Sequence, residues 1–201
     1  MVKKIGIITL NGYFNYGNRL QNYATEQVIK SLGFEVETII NDTSPINRTN
    51  IDFFDYFSKI KEMKYKEILM EIKKMYNFYL HGEKIKDYRR KKAIFLKIFS
   101  EEYINESDYH IKINNIPDEL IRKFDFFITG SDQVWNPYYV RKHSSINFLT
   151  FAPKEKRIAY APSFGVTEVS SKDKDNYRKW LSEMQKLSVR EDVGAKIIKE
   201  L

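Results

Sequence analysis

Two rhythms of apolar and polar positions succeed one another along this chain, and the switches between them predict its elements. Residues 3–10 (KKIGIITL) form a short apolar run suited to a strand buried on both faces, as in parallel sheets. A turn-rich stretch, 11–17 (NGYFNYG), follows. From Asn18 the apolar positions Leu20, Tyr23, Ala24, Val28 and Leu32 recur at three and four, which predicts a helix with one buried stripe. Asn18 is the expected N-cap and Gly33 the expected stop. Residues 35–40 (EVETII) read as a second strand, so the first forty or so residues make a βαβ unit.

Residues 41–50 are polar, contain Pro45 and read as a loop. From 52 to 103 the chain becomes basic and aromatic. Ile60, Met63, Ile68, Ile72, Met75 and Tyr79 fall near one helical face, and Ile85, Tyr88, Leu96, Phe99 and Tyr103 do so again beyond His81-Gly82. Two or more helices, broken at His81-Gly82 and inserted between strands, are expected. Alternating Ile111 and Ile113 within 107–117 predict an edge strand, and 118–123 a short helix. Residues 124–129 (FDFFIT) have high strand propensity and end abruptly at Gly130-Ser131-Asp132, followed by Gln133, Trp135, Asn136 and Pro137. An aromatic loop, 137–143, leads on. Residues 156–161 (KRIAYA) form another strand, ending at 162–165 (PSFG). Residues 173–186 form a helix with Tyr177, Trp180, Leu181 and Met184 on one side, residues 187–189 a minimal strand, and 193–201 a last helix. The expected fold is α/β: one domain over 1–201, a Rossmann-like parallel sheet flanked by helices, with a basic helical insertion at about 52–103.

Composition narrows the function classes. At 42% hydrophobic and 30% charged, the chain is ordinary for a globular protein and not for a disordered one. The absence of cysteine removes disulfides, a thiolate zinc site and a cysteine nucleophile. The apolar run at 5–10 is shorter than a signal h-region, and nothing approaches the roughly 18 apolar residues of a membrane span, so a soluble, cytoplasmic protein is expected. The net charge of +7 is local: residues 59–97 hold 13 Lys or Arg against 5 Asp or Glu. Interleaved lysines and aromatics can mark a nucleic-acid surface. A helical hairpin with aromatics inward and lysines solvated explains them better, and no nucleic-acid partner is expected. Peripheral contact with an anionic membrane surface stays open, as does the oligomeric state.

In an open parallel sheet the carboxyl ends of all strands share one edge, and ligands bind there. That edge is expected to gather Asn15 and Asn18, Gly130, Ser131, Asp132 and Gln133, Ser163 and Gly165, and Arg190 and Glu191. Each corner alone is also what a plain turn needs. The loop 15–18 before the first helix offers backbone N–H groups and a positive dipole end to an anion. It has neither a G-x-G-x-x-G nor a P-loop spacing. His81, His110 and His143 lie far apart, so no metal centre is expected, and no G-x-S-x-G elbow occurs. What remains is a cleft of amide, hydroxyl and backbone groups, with Arg190 as an anion fork and Asp132 as the acid able to take a proton or hold a sugar hydroxyl. Such a cleft suits a phosphorylated or carboxylated small molecule together with a polyol. It does not by itself separate group transfer from binding.

Four segments in order, NYGNRLQNYA at 15–24, FITGSDQVWN at 127–136, KRIAYAPSFG at 156–165 and SVRE at 188–191, resemble the polysaccharide pyruvyl transferase family over nearly the whole chain. The resemblance implies the N-terminal half of a GT-B-like enzyme with two Rossmann-type halves, the C-terminal half being absent from this sequence. It implies transfer of the pyruvyl group of phosphoenolpyruvate to sugar hydroxyls, giving a ketal on a cell-surface polysaccharide. No cofactor is implied beyond that donor substrate. Carried over, Arg190 grips the donor's phosphate or carboxylate, and Asp132 is the cleft's general acid or base. Asn15, Gly17, Asn18, Gly130, Ser131, Gln133, Ser163, Gly165 and Glu191 line the cleft. Two other readings remain: one half of a nucleotide-sugar glycosyltransferase of the same architecture, and a non-catalytic module that binds anions through its basic helices.

Overall fold

A computed structural model of the chain describes residues 2–41, 65–140 and 144–201. Six strands form one sheet: β1 (Lys4–Ile8), β2 (Glu35–Asn41), β3 (Glu106–Ile111), β4 (Phe126–Gly130), β5 (Arg157–Tyr160) and β6 (Lys186–Leu187). Their order is β3-β2-β1-β4-β5-β6, and every neighbouring pair is parallel. This is the doubly wound, Rossmann-like arrangement, in which the winding direction reverses between β1 and β4. The flanking helices are α1 (Tyr16–Ser31), α2 (Tyr65–Tyr103), α3 (Asp118–Lys123), α4 (Pro137–Val140), α5 (Ser144–Asn147), α6 (Ser171–Ser182) and α7 (Asp192–Glu200).

The apolar run of β1 is buried on both faces because successive side chains point to opposite sides. Ile5 and Ile7 pack with Ile29 of α1, Val36 and Ile128. Ile8 joins Ile39, Ile111, Leu120, Phe124 and Phe127. Gly6 lies between these neighbours: a Cβ there would stand 2.7 Å from Ile39 Cδ1 and 3.1 Å from Phe127 Cδ1. A third cluster joins Trp135, Phe148, Phe164, Tyr177, Leu181 and Ile197. Trp135 stacks on Phe148 with ring centroids 5.0 Å apart. The loop after β4 is thereby anchored in the core rather than left on the surface.

Several expectations from the pattern are corrected. The N-cap of α1 is Asn15, not Asn18: its Oδ1 accepts from the backbone N–H groups of Gly17 and Asn18. The stripe Leu20, Val28 and Leu32 faces outward, at 55%, 44% and 67% exposure, while Asn18, Arg19, Asn22, Thr25, Glu26 and Ile29 are buried. Polar groups can occupy the interior because most find a partner there, although the Asn22 Nδ2 has no hydrogen-bond partner among the described residues. Glu26 accepts from Thr38 Oγ1 at 2.7 Å and from the Asn105 backbone N–H at 3.1 Å, and Thr38 Oγ1 also lies 3.0 Å from Asn22 Oδ1. Finally, α2 runs unbroken through His81 and Gly82 as one 39-residue helix. A single glycine costs a helix only about 1 kcal/mol, which good formers on both sides outweigh.

On α2, Leu96 and Ser100 are buried, Phe99 and Tyr103 pack against Tyr23 of α1, and Tyr88 is exposed. Of the loop expected at 41–50, Asn41 closes β2 and the rest lies outside the described residues, as do the helical positions Ile60 and Met63, His143 and the side chains of Ile68, Ile72, Met75 and Tyr79. Strand β3 takes the sheet edge as expected, but ends at Ile111 and leaves Ile113 exposed. Gly33, with φ of +84°, follows the last turn of α1 as expected. Among the described residues no helix is long and apolar enough to cross a membrane.

Candidate functional site

The reversal between β1 and β4 opens a crevice at the carboxyl edge, and the candidate residues lie along it. β4 delivers Asp132 through a tight exit: Gly130 has φ of +132°, and a Cβ there would lie 2.0 Å from the Tyr160 carbonyl oxygen. Only glycine lets β4 and β5 close at that point. Beyond it, the Trp135 indole N–H donates to the Asn147 carbonyl at 3.2 Å, and Tyr177 Oη donates to the Trp135 carbonyl at 2.9 Å. The Ser163 N–H donates to the Asp132 carbonyl at 2.9 Å. The loop carrying Asp132 is therefore held from both sides.

Asp132 is half-buried, and its carboxylate has partners from two elements. Oδ1 accepts from the Gln133 N–H at 2.7 Å, and Oδ2 accepts from Asn18 Nδ2 at 2.9 Å. Asn18 is oriented in turn by Arg19. Both Nε (3.0 Å) and Nη2 (2.9 Å) of the guanidinium converge on Asn18 Oδ1. Two donors can share only an oxygen, so the amide nitrogen must face Asp132. Nη2 also donates to the Leu10 carbonyl at 2.9 Å, and Nη1 pairs with Glu106 Oε1 at 3.1 Å. Burial pulls the Arg19 guanidinium below its ordinary value, and Glu106, Tyr13 and Asp132 oppose that shift. Burial and Glu106 together push the Tyr13 phenol up to about 12.

Arg190 stands on the other bank. Its side chain is 47% exposed, with Nε 3.3 Å from Glu191 Oε2 and Nη1 3.5 Å from the carbonyl of Ser131, next to Asp132. Nη2 has no hydrogen-bond partner among the described residues. Ser163 Oγ donates to Glu191 Oε1, and the Gly165 N–H donates to Ser163 Oγ at 3.1 Å. Gln133 Oε1 accepts from Asn136 Nδ2 at 3.0 Å, against the face of Gly165.

The structure thus brings Asn18, Ser131, Asp132, Arg190 and Glu191 to one rim but divides their work. Asn15 caps α1, Ser163 is buried and clips Glu191, and Gln133 braces its own loop. Gly17 is exposed beside the Asn15 cap, and the N–H groups of Gly17 and Asn18 are already engaged by it, leaving less of the helix terminus for an anion than the loop pattern implied. Arg19, Glu106 and Tyr13 were not picked out from the sequence. Among the described residues, no group of three or more His, Cys, Asp or Glu could hold a metal ion.

A family model described as polysaccharide pyruvyl transferase matches residues 15–201, from the α1 cap to the last residue. The chain belongs to the polysaccharide pyruvyl transferase family. Comparison with curated proteins and with solved structures found no match. Membership implies a transferase working between a pyruvyl donor and a saccharide acceptor. The match spans every corner of the polysaccharide pyruvyl transferase rim described above, and Arg19 as well.

Proposed function

We propose that this pyruvyl transferase family chain takes phosphoenolpyruvate as donor and builds a pyruvate ketal on two hydroxyls of a cell-surface saccharide. One sugar hydroxyl adds to C2 of the enol while C3 gains a proton. The second hydroxyl then attacks C2, the C–O bond to phosphate breaks, and inorganic phosphate and the ketal result. The first step needs a group that shuttles a proton, and both need a cation that holds the donor's negative charge as it redistributes. Asp132 takes the proton role, with its second oxygen steadied by Asn18. Arg190 takes the anion, its fork suiting either the carboxylate or the phosphate.

The observation that carries this reading is the approach of Arg190 Nη1 to the Ser131 carbonyl, one residue from Asp132, with about half of the arginine still open to solvent. Glu191 partly neutralises Arg190, and an incoming dianion must compete with it. Isothermal titration of phosphoenolpyruvate tests the proposal. Arg190→Ala is expected to weaken binding at least about tenfold, the loss of one charge-assisted contact. Equal heats for both proteins would remove Arg190 from the donor site. Selective binding of a nucleoside diphosphate instead would favour nucleotide-sugar chemistry on the same fold.

A further inference from the structure

Beside the Asp132 loop lies a groove of about 470 Å³, within the range of small-ligand clefts. Its lining includes Tyr138, Thr167, Glu168, Ser170, Lys172 and Asp173, from α4, the loop after β5 and the start of α6. All of these segments follow the carboxyl ends of strands, so the groove opens on the same edge as the crevice. An unbroken line of hydrogen bonds joins the two. The Gln133 N–H donates to Asp132 Oδ1 (2.7 Å), Asn136 Nδ2 donates to Gln133 Oε1 (3.0 Å), and the Tyr138 N–H donates to Asn136 Oδ1 (2.9 Å).

The lining differs in chemistry from the Arg190 bank. Tyr138 is 66% exposed and offers an aromatic ring beside the groove. Glu168 and Asp173 outnumber Lys172, so the groove is on balance slightly negative and repels a phosphorylated donor. Asp173 already accepts from Ser170 Oγ at 2.7 Å, which leaves Glu168 as the more available carboxylate. An aromatic face next to carboxylate and hydroxyl groups matches a sugar ring, which shows C–H groups on one face and hydroxyls around its edge. We infer that this groove is the acceptor subsite for a neutral saccharide, with the ring on Tyr138 and a hydroxyl given to Glu168. The inference rests on the donor and acceptor assignment above. It adds that the anion reaches Asp132 from Arg190 and the sugar from Tyr138.

Saturation-transfer NMR with four neutral disaccharides as probes (lactose, maltose, cellobiose and N,N′-diacetylchitobiose) tests it on the wild-type chain, Tyr138→Ala and Glu168→Gln. Both side chains are exposed, so neither variant threatens the fold. At least one probe is expected to bind the wild type, with about five- to tenfold loss in each variant, on the scale of one ring or hydrogen-bond contact. Phosphoenolpyruvate titrations should be unchanged by both substitutions. The inference is overturned if no probe binds, if the bound probe keeps its affinity in both variants, or if donor and probe weaken in step. Disaccharide binding that behaves as expected while phosphoenolpyruvate fails to bind the wild type would instead overturn the donor assignment and leave the groove standing.

Discussion

Replacing Arg19 by methionine removes the group that connects the buried side of α1 to Asp132, and the structure indicates what that costs. The side chain is 1% exposed and ends four contacts at once: two to Asn18 Oδ1, one to the Leu10 carbonyl and one to Glu106. Methionine fills similar space but leaves a carboxylate without its counter-charge. Removing one partner of a buried pair costs about 3–5 kcal/mol. Glu106 keeps 21% exposure, so water relieves part of the penalty and a loss of about 3 kcal/mol is expected. Adding Glu106→Gln to Arg19→Met should restore about 1–2 kcal/mol, because the unpaired charge disappears along with its partner. Urea denaturation of the wild type, both single variants and the double variant measures this, read as midpoint shifts at constant slope. A site-specific readout accompanies it. Without two donors on its oxygen, the Asn18 amide is no longer held in place, its hydrogen bond to Asp132 loosens, and the Asp132 carboxyl resonance should move in Arg19→Met. A loss below about 1 kcal/mol together with an unmoved Asp132 signal would refute the reasoning, since the guanidinium would then be neither a structural pair nor a positioning group.

Two further substitutions probe the frame. Gly130→Ala places a methyl 2.0 Å from the Tyr160 carbonyl at a φ of +132°. It should cost at least about 2 kcal/mol or prevent folding, and a thermal melt indistinguishable from wild type would contradict the close approach of β4 and β5. Glu183 binds Arg157 at 2.8 Å and Lys154 at 3.2 Å, and these partners hold its carboxyl below the ordinary 4.5. A depressed folded value means that its stabilisation is complete above pH 4.5 and fades as pH falls through the folded value. Glu183→Gln should therefore narrow the stability gap to wild type as the pH drops below 4.5. A gap that widens with acid would reverse the sign and refute the pairing.

The parallel strands and the polar turns that follow them were legible for one physical reason: in a parallel sheet, burial on both faces compels apolar runs, and those runs end where polar turn residues must begin. Residues 3–10, 35–40, 124–129 and 156–161 carried that signature, and β1, β2, β4 and β5 fall in or overlap them. The orientation of α1 was not legible. Its apolar and polar positions share one period: Leu20, Val28 and Leu32 recur as regularly as Asn18, Asn22, Thr25 and Ile29. Hydrophobicity favours burying the first set, yet the second is buried, because Arg19, Asn22 and Glu26 on the same face find partners in Glu106, Thr38 and Asn105, from strands and loops remote in the chain. A pattern along one helix cannot reveal partners supplied by another element. Arg19 was hidden for the same reason: a charged residue reads as solvated until its counter-charge, 87 residues away, is seen.

The same distribution of partners bears on function. Two asparagines three residues apart could each have capped α1, and the fold assigns the cap to Asn15 alone. That leaves the amide of Asn18 available to bridge Arg19 and Asp132. Asn18 and Arg19 are buried on the first turn of α1, on the β1 side of the reversal, while Asp132 leaves β4 on the other. A carboxylate steadied only by its own loop would move with that loop. One steadied across the sheet's reversal keeps its position relative to both sides of it, which the proton role proposed for Asp132 would require. The corner is held rigid by contacts from different elements, whereas Arg190 is half-exposed with a single carboxylate neighbour. For the roles proposed above, a firmly held Asp132 beside a half-exposed Arg190 would suit a donor that must enter, be gripped, and leave as inorganic phosphate.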